Sequence, residues 1–289
     1  MATATPALNC RGKLLPLTPP CVMGILNITP DSFSDGGNFL SVSAAVQRAR
    51  TMAGEGAAII DVGGESTRPG ATPVSVQEEL DRVLPVIEAI RAELPVVISI
   101  DTSKPEVMRA AVEAGASFIN DVFALRAEGA LQAAVEINRR YSVLVCLMHM
   151  QGMPRTMQQQ PHYDDVVGEV RNFLGERAQQ CVTAGIPRER LLIDPGFGFG
   201  KSLAHNLTLL KHLDMFAGMN LPLLVGLSRK SMIGALLGNE VGERLYGSIA
   251  LATIAVLKGA LLVRTHDVRA TVDAVKMAAA VQQAGQHGK

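Results

Sequence analysis

The segment LLIDPGFGFGK, residues 191–201, carries the pattern from which the fold is predicted. A short apolar run, typical of a buried strand, ends at the carboxylate of Asp194, and a turn follows in which three glycines alternate with two phenylalanines. Glycine accepts positive φ and close backbone approach, so we predict a mobile loop that folds over a ligand, its two aromatic rings covering something flat. The segment is not a P-loop, because Pro195 stands where that motif needs glycine, and it does not fit Gly-x-Gly-x-x-Gly.

The length and composition fit one large α/β barrel or two modest domains, without a partner bound through bulk charge. Of the 289 residues 48% are hydrophobic and only 4% aromatic, which predicts a large aliphatic core. The formal net charge is zero, which argues against nucleic-acid and membrane partners. No apolar run reaches the length of a membrane span. Cysteines without Cys-x-x-Cys spacing predict buried free thiols in the cytoplasm, at Cys10, Cys21, Cys146 and Cys181.

Strand-like and helix-like segments alternate along the chain and predict a (β/α)8 TIM barrel. Several of the strands are almost continuously apolar, as parallel strands buried on both faces are. We predict one domain over residues 1–289, with a short N-terminal extension over residues 1–18. A doubly wound open sheet is the alternative. The predicted strands are 21–27, 57–62, 96–101, 117–120, 142–148, 190–194, 222–226 and 260–263, and the predicted helices are 41–55, 75–92, 104–114, 127–139, 163–184, 203–217, 243–257 and 267–284.

Polar residues follow nearly every predicted strand, at the barrel end where such folds place their active sites. Any one of them could be a helix cap, since Asp, Asn, Ser and Thr are common before helices. The same arrangement at seven or eight strands, with cations among them, favours one shared site. These strand-end residues are Asn27, Asp61, Asp101, Asn120, Asp121, Met148, His149, Asp194, Ser228, Arg229, Lys230, Arg264, Thr265, His266 and Asp267.

Three of these strand-end side chains suit a flat heterocycle. Asp101, Asn120 and Asp194 offer carboxylate and amide groups from three strands. A carboxylate can pair with an amidine edge through two hydrogen bonds, which predicts a pterin or a purine as ligand. The alternative for each acid is a helix cap or a structural ion pair.

A second set suits an anion. Arg68, Arg264 and His266 predict a phosphate or pyrophosphate site, since guanidinium and imidazole groups bind such oxygens. Asn27 could contribute a neutral oxygen to a hard cation carried by a pyrophosphate. Arg264 could instead form a surface salt bridge, and Lys230 could be a solvated charge.

Two long segments resemble the signature loops of the dihydropteroate synthase family: NITPDSFSDGG, residues 27–37, and DVGGESTRPG, residues 61–70. The resemblance continues in order over essentially the whole chain, through the strand-end residues named above and through residues 194–201. One departure is Thr265, which stands where the family pattern has an aliphatic residue. We expect its hydroxyl to form a local hydrogen bond with little effect on activity.

This resemblance implies a TIM-barrel enzyme of folate biosynthesis. It would join 6-hydroxymethyl-7,8-dihydropterin diphosphate to 4-aminobenzoate with Mg²⁺, act as a cytoplasmic homodimer, and be a target of sulfonamides, which mimic aminobenzoate. The catalytic residues would be Asp101, Lys230, Arg264 and His266. The pterin would contact Asp101, Asn120, Met148, Asp194, Phe199 and Lys230; the diphosphate would contact Asn27, Thr67, Arg68, Arg264 and His266; and the aminobenzoate would contact Phe33, Pro69, Phe199, Ser228 and Lys230. Asn27 would be the metal ligand.

Three other functions share parts of this pattern. A methyltetrahydrofolate-type methyltransferase also binds a pterin in a barrel, but it has no use for a diphosphate clamp such as Arg68, Arg264 and His266. A non-catalytic relative would bind the pterin without releasing pyrophosphate. An unrelated phosphosugar barrel enzyme is the third alternative.

Overall fold

The computed structural model describes residues 7–28, 38–66, 72–153 and 156–284. A short hairpin precedes eight parallel strands with helices between them, which confirms the predicted (β/α)8 barrel. The strands are β1 Ala7–Cys10, β2 Lys13–Pro16, β3 Cys21–Asn27, β4 Ile59–Gly63, β5 Val97–Asp101, β6 Phe118–Asp121, β7 Leu144–Met148, β8 Leu191–Asp194, β9 Leu224–Gly226 and β10 Leu262–Thr265. The helices are α1 Asn38–Gly54, α2 Val76–Glu93, α3 Pro105–Ala114, α4 Ala130–Tyr141, α5 Val166–Ala184, α6 Leu203–Lys211, α7 Asp214–Ala217, α8 Ser231–Leu237, α9 Leu245–Leu257 and α10 Val268–Gln283.

The sheet closes on itself. Its strand order is β8-β7-β6-β5-β4-β3-β10-β9, and every neighbouring pair runs parallel. The two ends of this order meet where Ile193 on β8 bridges Leu223, just before β9, and where the Ile193 amide donates to the Pro222 carbonyl at 3.1 Å. The alternative of a doubly wound open sheet is therefore wrong.

Alternating side chains of each strand point into the barrel. At the amino ends of the strands the inward side chains are apolar and pack into one cluster, as Ile59, Val97 and Phe118 do. Two positions later on the same strands the inward residues are Asp61, Ser99 and Asn120, all buried. The same alternation that forms the apolar cluster at the amino ends of the strands therefore brings polar groups together at their carboxyl ends.

The predicted N-terminal extension contains a β-hairpin that covers the amino-end opening of the barrel. β1 and β2 pair antiparallel. Leu8 and Leu15 on these strands, with Leu17 after them, are buried in the apolar cluster at the amino ends of the strands. Burial of this cluster favours folding because it removes aliphatic surface from water. Since the hairpin covers the amino end, the opposite end of the barrel is the open mouth.

Several helices differ from the prediction, and α4 and α5 each begin three residues later than predicted. The predicted helix 203–217 is divided into α6 and α7, and α8 follows β9 where no helix was predicted. α5 begins at Val166, because Asp165 caps it by accepting a hydrogen bond from the Val167 amide. All four cysteines are buried and unpaired, which confirms the prediction of free thiols. In the described part of the chain, no helix is both long and apolar enough to cross a membrane.

Candidate active site

A partly buried arginine joins two buried carboxylates at the barrel mouth. Arg264 on β10 donates from Nε to Asp61 Oδ2 at 2.6 Å and from Nη2 to Asp101 Oδ2 at 2.7 Å. Asn120 on β6 donates from Nδ2 to the same Asp61 oxygen at 3.1 Å. Residues from four strands are thus connected by charge-assisted hydrogen bonds, which hold their side chains in a defined geometry.

This ion-pair network shifts the protonation of its members. Burial raises the pKa of Asp101 from 3.8 to about 7, against the opposing charge of Arg264. Burial alone would lower the pKa of Arg264, but Asp61 and Asp101 raise it above its usual value, so the guanidinium stays charged. The second oxygen of Asp61, Oδ1, is buried and has no hydrogen-bond partner among the described residues.

Asp194 at the end of β8 is the third carboxylate of the mouth. It lies beside Met148 of β7 in register, and its Oδ1 accepts a hydrogen bond from the Gly196 amide at 2.7 Å. Burial raises the pKa of Asp194 to about 6, while the Gly196 hydrogen bond and the charge of Lys230 act in the opposite direction. Asp194 is therefore mostly ionised at neutral pH, although it is buried.

The glycine-rich loop after β8 is held by side chains and is not a mobile cover. A Cβ on Gly196, at φ 70°, would clash with the backbone oxygen of His149, so the loop packs directly on the segment after β7. Asn206 accepts from the Gly198 amide at 2.7 Å, and the Tyr163 hydroxyl donates to the Gly200 carbonyl at 2.9 Å.

The two phenylalanines of this loop have different places. Phe197 is 1% exposed and packs in the main core, so the prediction that both rings cover a ligand is wrong for it. Phe199 is half-buried, and the Lys230 ammonium lies 4.1 Å from its ring centre. Burial lowers the pKa of Lys230 to about 8.

An apolar wall lies next to Phe199. The ring packs against a cluster made by Val122, Met148, Met150 and Met157. An apolar surface beside buried carboxylates suits a flat heterocycle, because its face can pack while its edge forms hydrogen bonds. The predicted pterin residues Asp101, Asn120, Met148, Asp194, Phe199 and Lys230 all belong to this mouth.

The other side of the mouth carries the described part of the predicted anion set. The Ser228 hydroxyl lies 3.0 Å from His266 Nδ1 and accepts from the His266 amide at 3.2 Å. The amide oxygen of Asn27 lies 3.6 Å from where a Cβ on Gly63 would stand, and the Cβ of Asp101 lies 3.5 Å from that same point. Asn27 and Asp101 therefore approach the mouth from either side of Gly63.

Two neighbouring residues stabilise this strand end. Thr265 accepts from the Asp267 amide at 3.1 Å through its hydroxyl, so the expected local hydrogen bond is present. Arg229 binds Asp267 with two hydrogen bonds, one of them from Nε to Oδ2 at 3.0 Å. Four further predicted site residues, Phe33, Thr67, Arg68 and Pro69, lie outside the described residues.

Two buried charged residues near the site, Asp61 and Lys201, are not among the predicted ligand contacts. The sequence indicates Asp61 only as a strand end, although its spacing of two from Ile59 on a buried strand places it inside the barrel. Lys201 is in the sequence only the last residue of the glycine-rich segment. Nothing in its sequence context shows that it is 2% exposed and hydrogen-bonded under the loop.

The fold and the site together define a barrel enzyme that binds a flat, hydrogen-bonding heterocycle at the carboxyl ends of its strands. The model of the family described as pterin binding enzyme matches residues 23–266. The dihydropteroate synthase of Escherichia coli (strain K12) is 55% identical over 97% of this chain and 98% of that protein. The chain therefore belongs to the dihydropteroate synthase family and is a transferase.

Solved structures agree with this assignment. A Xanthomonas albilineans dihydropteroate synthase with 4-aminobenzoic acid is 55% identical, superposes with a TM-score of 0.90, and covers 96% of this chain and 99% of that one. The same organism's enzyme in complex with 7,8-dihydropteroate is 52% identical, with a TM-score of 0.86 and the same coverage.

Proposed function

We propose that this chain condenses 6-hydroxymethyl-7,8-dihydropterin diphosphate with 4-aminobenzoate, giving 7,8-dihydropteroate and pyrophosphate. The observation that carries the proposal is the convergence of Asp101, Asn120 and Asp194 with Arg264 and Lys230 in one mouth. Carboxylates and an amide there can bind a pterin edge, and cations beside them can bind its diphosphate.

The pterin would lie flat between the apolar wall and the polar strand ends. Asp194 is the best placed residue for the amidine edge of the pterin, because it is ionised at neutral pH and Gly196 holds one of its oxygens. Asn120 and Asp101 would bind further ring atoms. Met148 and Phe199 would contact the ring faces.

Leaving-group stabilisation would account for most of the catalysis. The reaction breaks a C–O bond, and the pterin ring can stabilise the carbon cation that develops. The cations Arg264 and Lys230, together with His266, would stabilise the departing diphosphate. Asp101 would favour the developing positive charge on the pterin. The aryl amine is neutral at physiological pH, so its attack needs correct positioning and no strong general base.

The residues present fit a magnesium ion that is carried by the diphosphate. Within the described residues no group of three or more His, Cys, Asp or Glu side chains could hold a metal by itself. Mg²⁺ commonly takes one or two protein oxygens and completes its shell with substrate phosphates and water. The Asn27 oxygen at the mouth can supply such a ligand. Bound there, Mg²⁺ would add positive charge on the leaving group.

The aminobenzoate would bind next to Phe199, Ser228 and Lys230. The ring of Phe199 supplies an apolar face, and the Lys230 ammonium beside it can attract the carboxylate. Ser228 lies within hydrogen-bond distance of His266, so the amine-binding and diphosphate-binding sides of the site are contiguous. Phe33 and Pro69 would complete this pocket, and Thr67 and Arg68 would complete the diphosphate site. Sulfonamides, as mimics of aminobenzoate, would compete here.

We also propose that the enzyme is a cytoplasmic homodimer. Four unpaired, buried thiols are typical of a reducing compartment. Large apolar side chains are exposed around α8, α9 and α10, where a second copy could cover them. They are Leu236, Leu237, Val241, Tyr246, Ile254, Leu257, Met277 and Val281. Light scattering after gel filtration would measure the mass, and a monomer at micromolar concentration would refute the dimer.

The decisive experiment measures pyrophosphate release from the pterin diphosphate with Mg²⁺, with and without 4-aminobenzoate. Release that depends on 4-aminobenzoate, with formation of dihydropteroate, is the expected result. Tight pterin binding without release would instead indicate a non-catalytic relative, and methyl transfer to a corrinoid protein would indicate a methyltransferase.

A further inference from the structure

Lys201 is a buried amine to which the proposed mechanism assigns no part, and burial lowers its pKa to about 7, so that it is charged below neutral pH. It follows the glycine-rich loop, is 2% exposed, and directs its ammonium back under the loop. Nζ donates to the Gly196 carbonyl at 2.9 Å and to the Phe199 carbonyl at 3.0 Å, and it lies 2.9 Å from His149 Nδ1. The His149 carbonyl lies at a longer 3.4 Å. An ammonium has three N–H donors, so the three nearer acceptors are enough to satisfy it.

His149 accepts a hydrogen bond from the Lys201 ammonium because its ring is neutral. Burial lowers the pKa of His149 far below its usual range, with the charge of Lys201 adding to the shift, so the ring is neutral. Its Nδ1 faces the Lys201 ammonium, which places the ring proton on Nε2. The His149 ring also packs edge-on against Phe173, with 4.9 Å between ring centres. His149 is thus a fixed acceptor.

We infer that Lys201 is a positioning residue for the reaction, fixing Asp194 and Phe199 from beneath the loop. This inference rests on the proposed function, in which Asp194 binds the pterin edge and Phe199 contacts the ring.

The connection runs through two peptide groups. The Gly196 carbonyl accepts from Lys201, and the amide of the same residue donates to Asp194 Oδ1 at 2.7 Å. The Phe199 carbonyl accepts from Lys201, and the ring of that residue lies beside the Lys230 ammonium. Removing this ammonium would therefore loosen both the Gly196 peptide, whose amide orients the Asp194 carboxylate, and the backbone that carries the Phe199 ring.

The charge of Lys201, which it carries below its lowered pKa of about 7, has a second effect in the pH range where Asp194 titrates. It lowers the pKa of Asp194 against the larger effect of burial and so helps to keep that carboxylate ionised. Three further groups that face Asp194 also bear on its electrostatics, and they stay in place when Lys201 is replaced. They are Lys230 and Arg264, whose charges also lower this pKa, and the buried thiol Cys146 of β7.

The test compares Lys201→Met with Tyr163→Phe. Tyr163→Phe removes another side-chain hydrogen bond to the same loop, at Gly200, but changes no charge. The measurement is the Kd of the pterin diphosphate, without aminobenzoate, between pH 5 and pH 8, together with the KM for aminobenzoate. Lys201→Met should weaken pterin binding by at least about tenfold, a charge-assisted contact being worth that much. It should also raise the aminobenzoate KM, and the pH below which pterin affinity falls should be higher than in the parent.

Tyr163→Phe should leave that pH midpoint unchanged. A folded Lys201→Met with pterin affinity within twofold of the parent and an unchanged midpoint would overturn the inference, as would an equal midpoint shift in Tyr163→Phe. If Lys201→Met does not fold, Lys201→Gln decides by the same midpoint criterion, since it keeps hydrogen-bond donors without the charge. Failure of the parent itself to bind the pterin would overturn the proposed function, and this inference with it.

Discussion

Replacing Arg264 by methionine tests the ion-pair network of the barrel mouth. The substitution removes a guanidinium that binds Asp61 at 2.6 Å and Asp101 at 2.7 Å, while an apolar side chain remains in its place. Asp61 is fully buried and Asp101 is 9% exposed, so little solvent reaches either carboxylate in the folded protein. Removing one partner of a buried ion pair typically costs about 3–5 kcal/mol, because the other charge is left uncompensated.

The decrease in the free energy of unfolding caused by Arg264→Met should be larger at high pH than at low pH. In the parent, burial has already raised the pKa of Asp101 to about 7, and Arg264 opposes that shift. Without Arg264 the folded-state pKa rises further. A carboxyl group with a raised folded-state pKa stabilises the fold below its unfolded pKa, and this contribution is lost as the pH rises through the folded pKa. In the variant that loss continues above pH 7, by about 1.4 kcal/mol per unit of further pKa shift.

Urea unfolding followed by circular dichroism at pH 6 and pH 8.5 measures both effects. Arg229→Met is the matched control. It also breaks an arginine–carboxylate pair, with Asp267, but there the arginine side chain is 38% exposed, so the expected loss is about 1 kcal/mol or less at either pH. A loss in Arg264→Met below about 1 kcal/mol at pH 8.5, or no larger than at pH 6, would refute the idea that Arg264 balances two buried carboxylates.

The remaining predictions concern the ligands. Asp194→Ala should abolish measurable pterin binding in calorimetry, and normal affinity would remove Asp194 from the pterin edge. Since the pKa of Asp194 is about 6 and the ionised form binds, pterin affinity in the parent should fall as the pH drops below about 6; a flat profile from pH 5 to pH 8 would contradict this assignment. Gly196→Ala should give misfolded protein or one with strongly reduced pterin affinity, because the methyl group would meet the His149 carbonyl at a positive φ; Gly242→Ala, where a Cβ meets nothing within 4 Å, is its control.

The barrel and much of its mouth were predictable because they follow from short-range patterns. Apolar runs that end in a polar residue predict both a strand and the side of the barrel to which its last residue points. Asp101, Asn120 and Asp194 were identified in this way. The N-terminal hairpin was not identified, since its role depends on apolar contacts with strands that are distant in sequence. Phe197 and Phe199 are two residues apart on one loop, and only tertiary packing decides that one enters the core and the other faces the mouth.

The roles of the charged residues were the least predictable, because burial and pairing determine them together. The sequence predicts that Arg264 binds an anion. The structure places Arg264 between two carboxylates, where its positive charge also balances their negative charges. Burial moves the pKa values of Asp101, Asp194 and Lys230 toward neutrality, to about 7, 6 and 8. The charge of Lys230 interacts with both carboxylates, so a change in one charge alters the pKa values of the others. For this reason a substitution in the mouth changes the whole network and not one contact. A variant that keeps the charge shows the effect of a lost contact on binding without changing the electrostatics, whereas an alanine variant changes both.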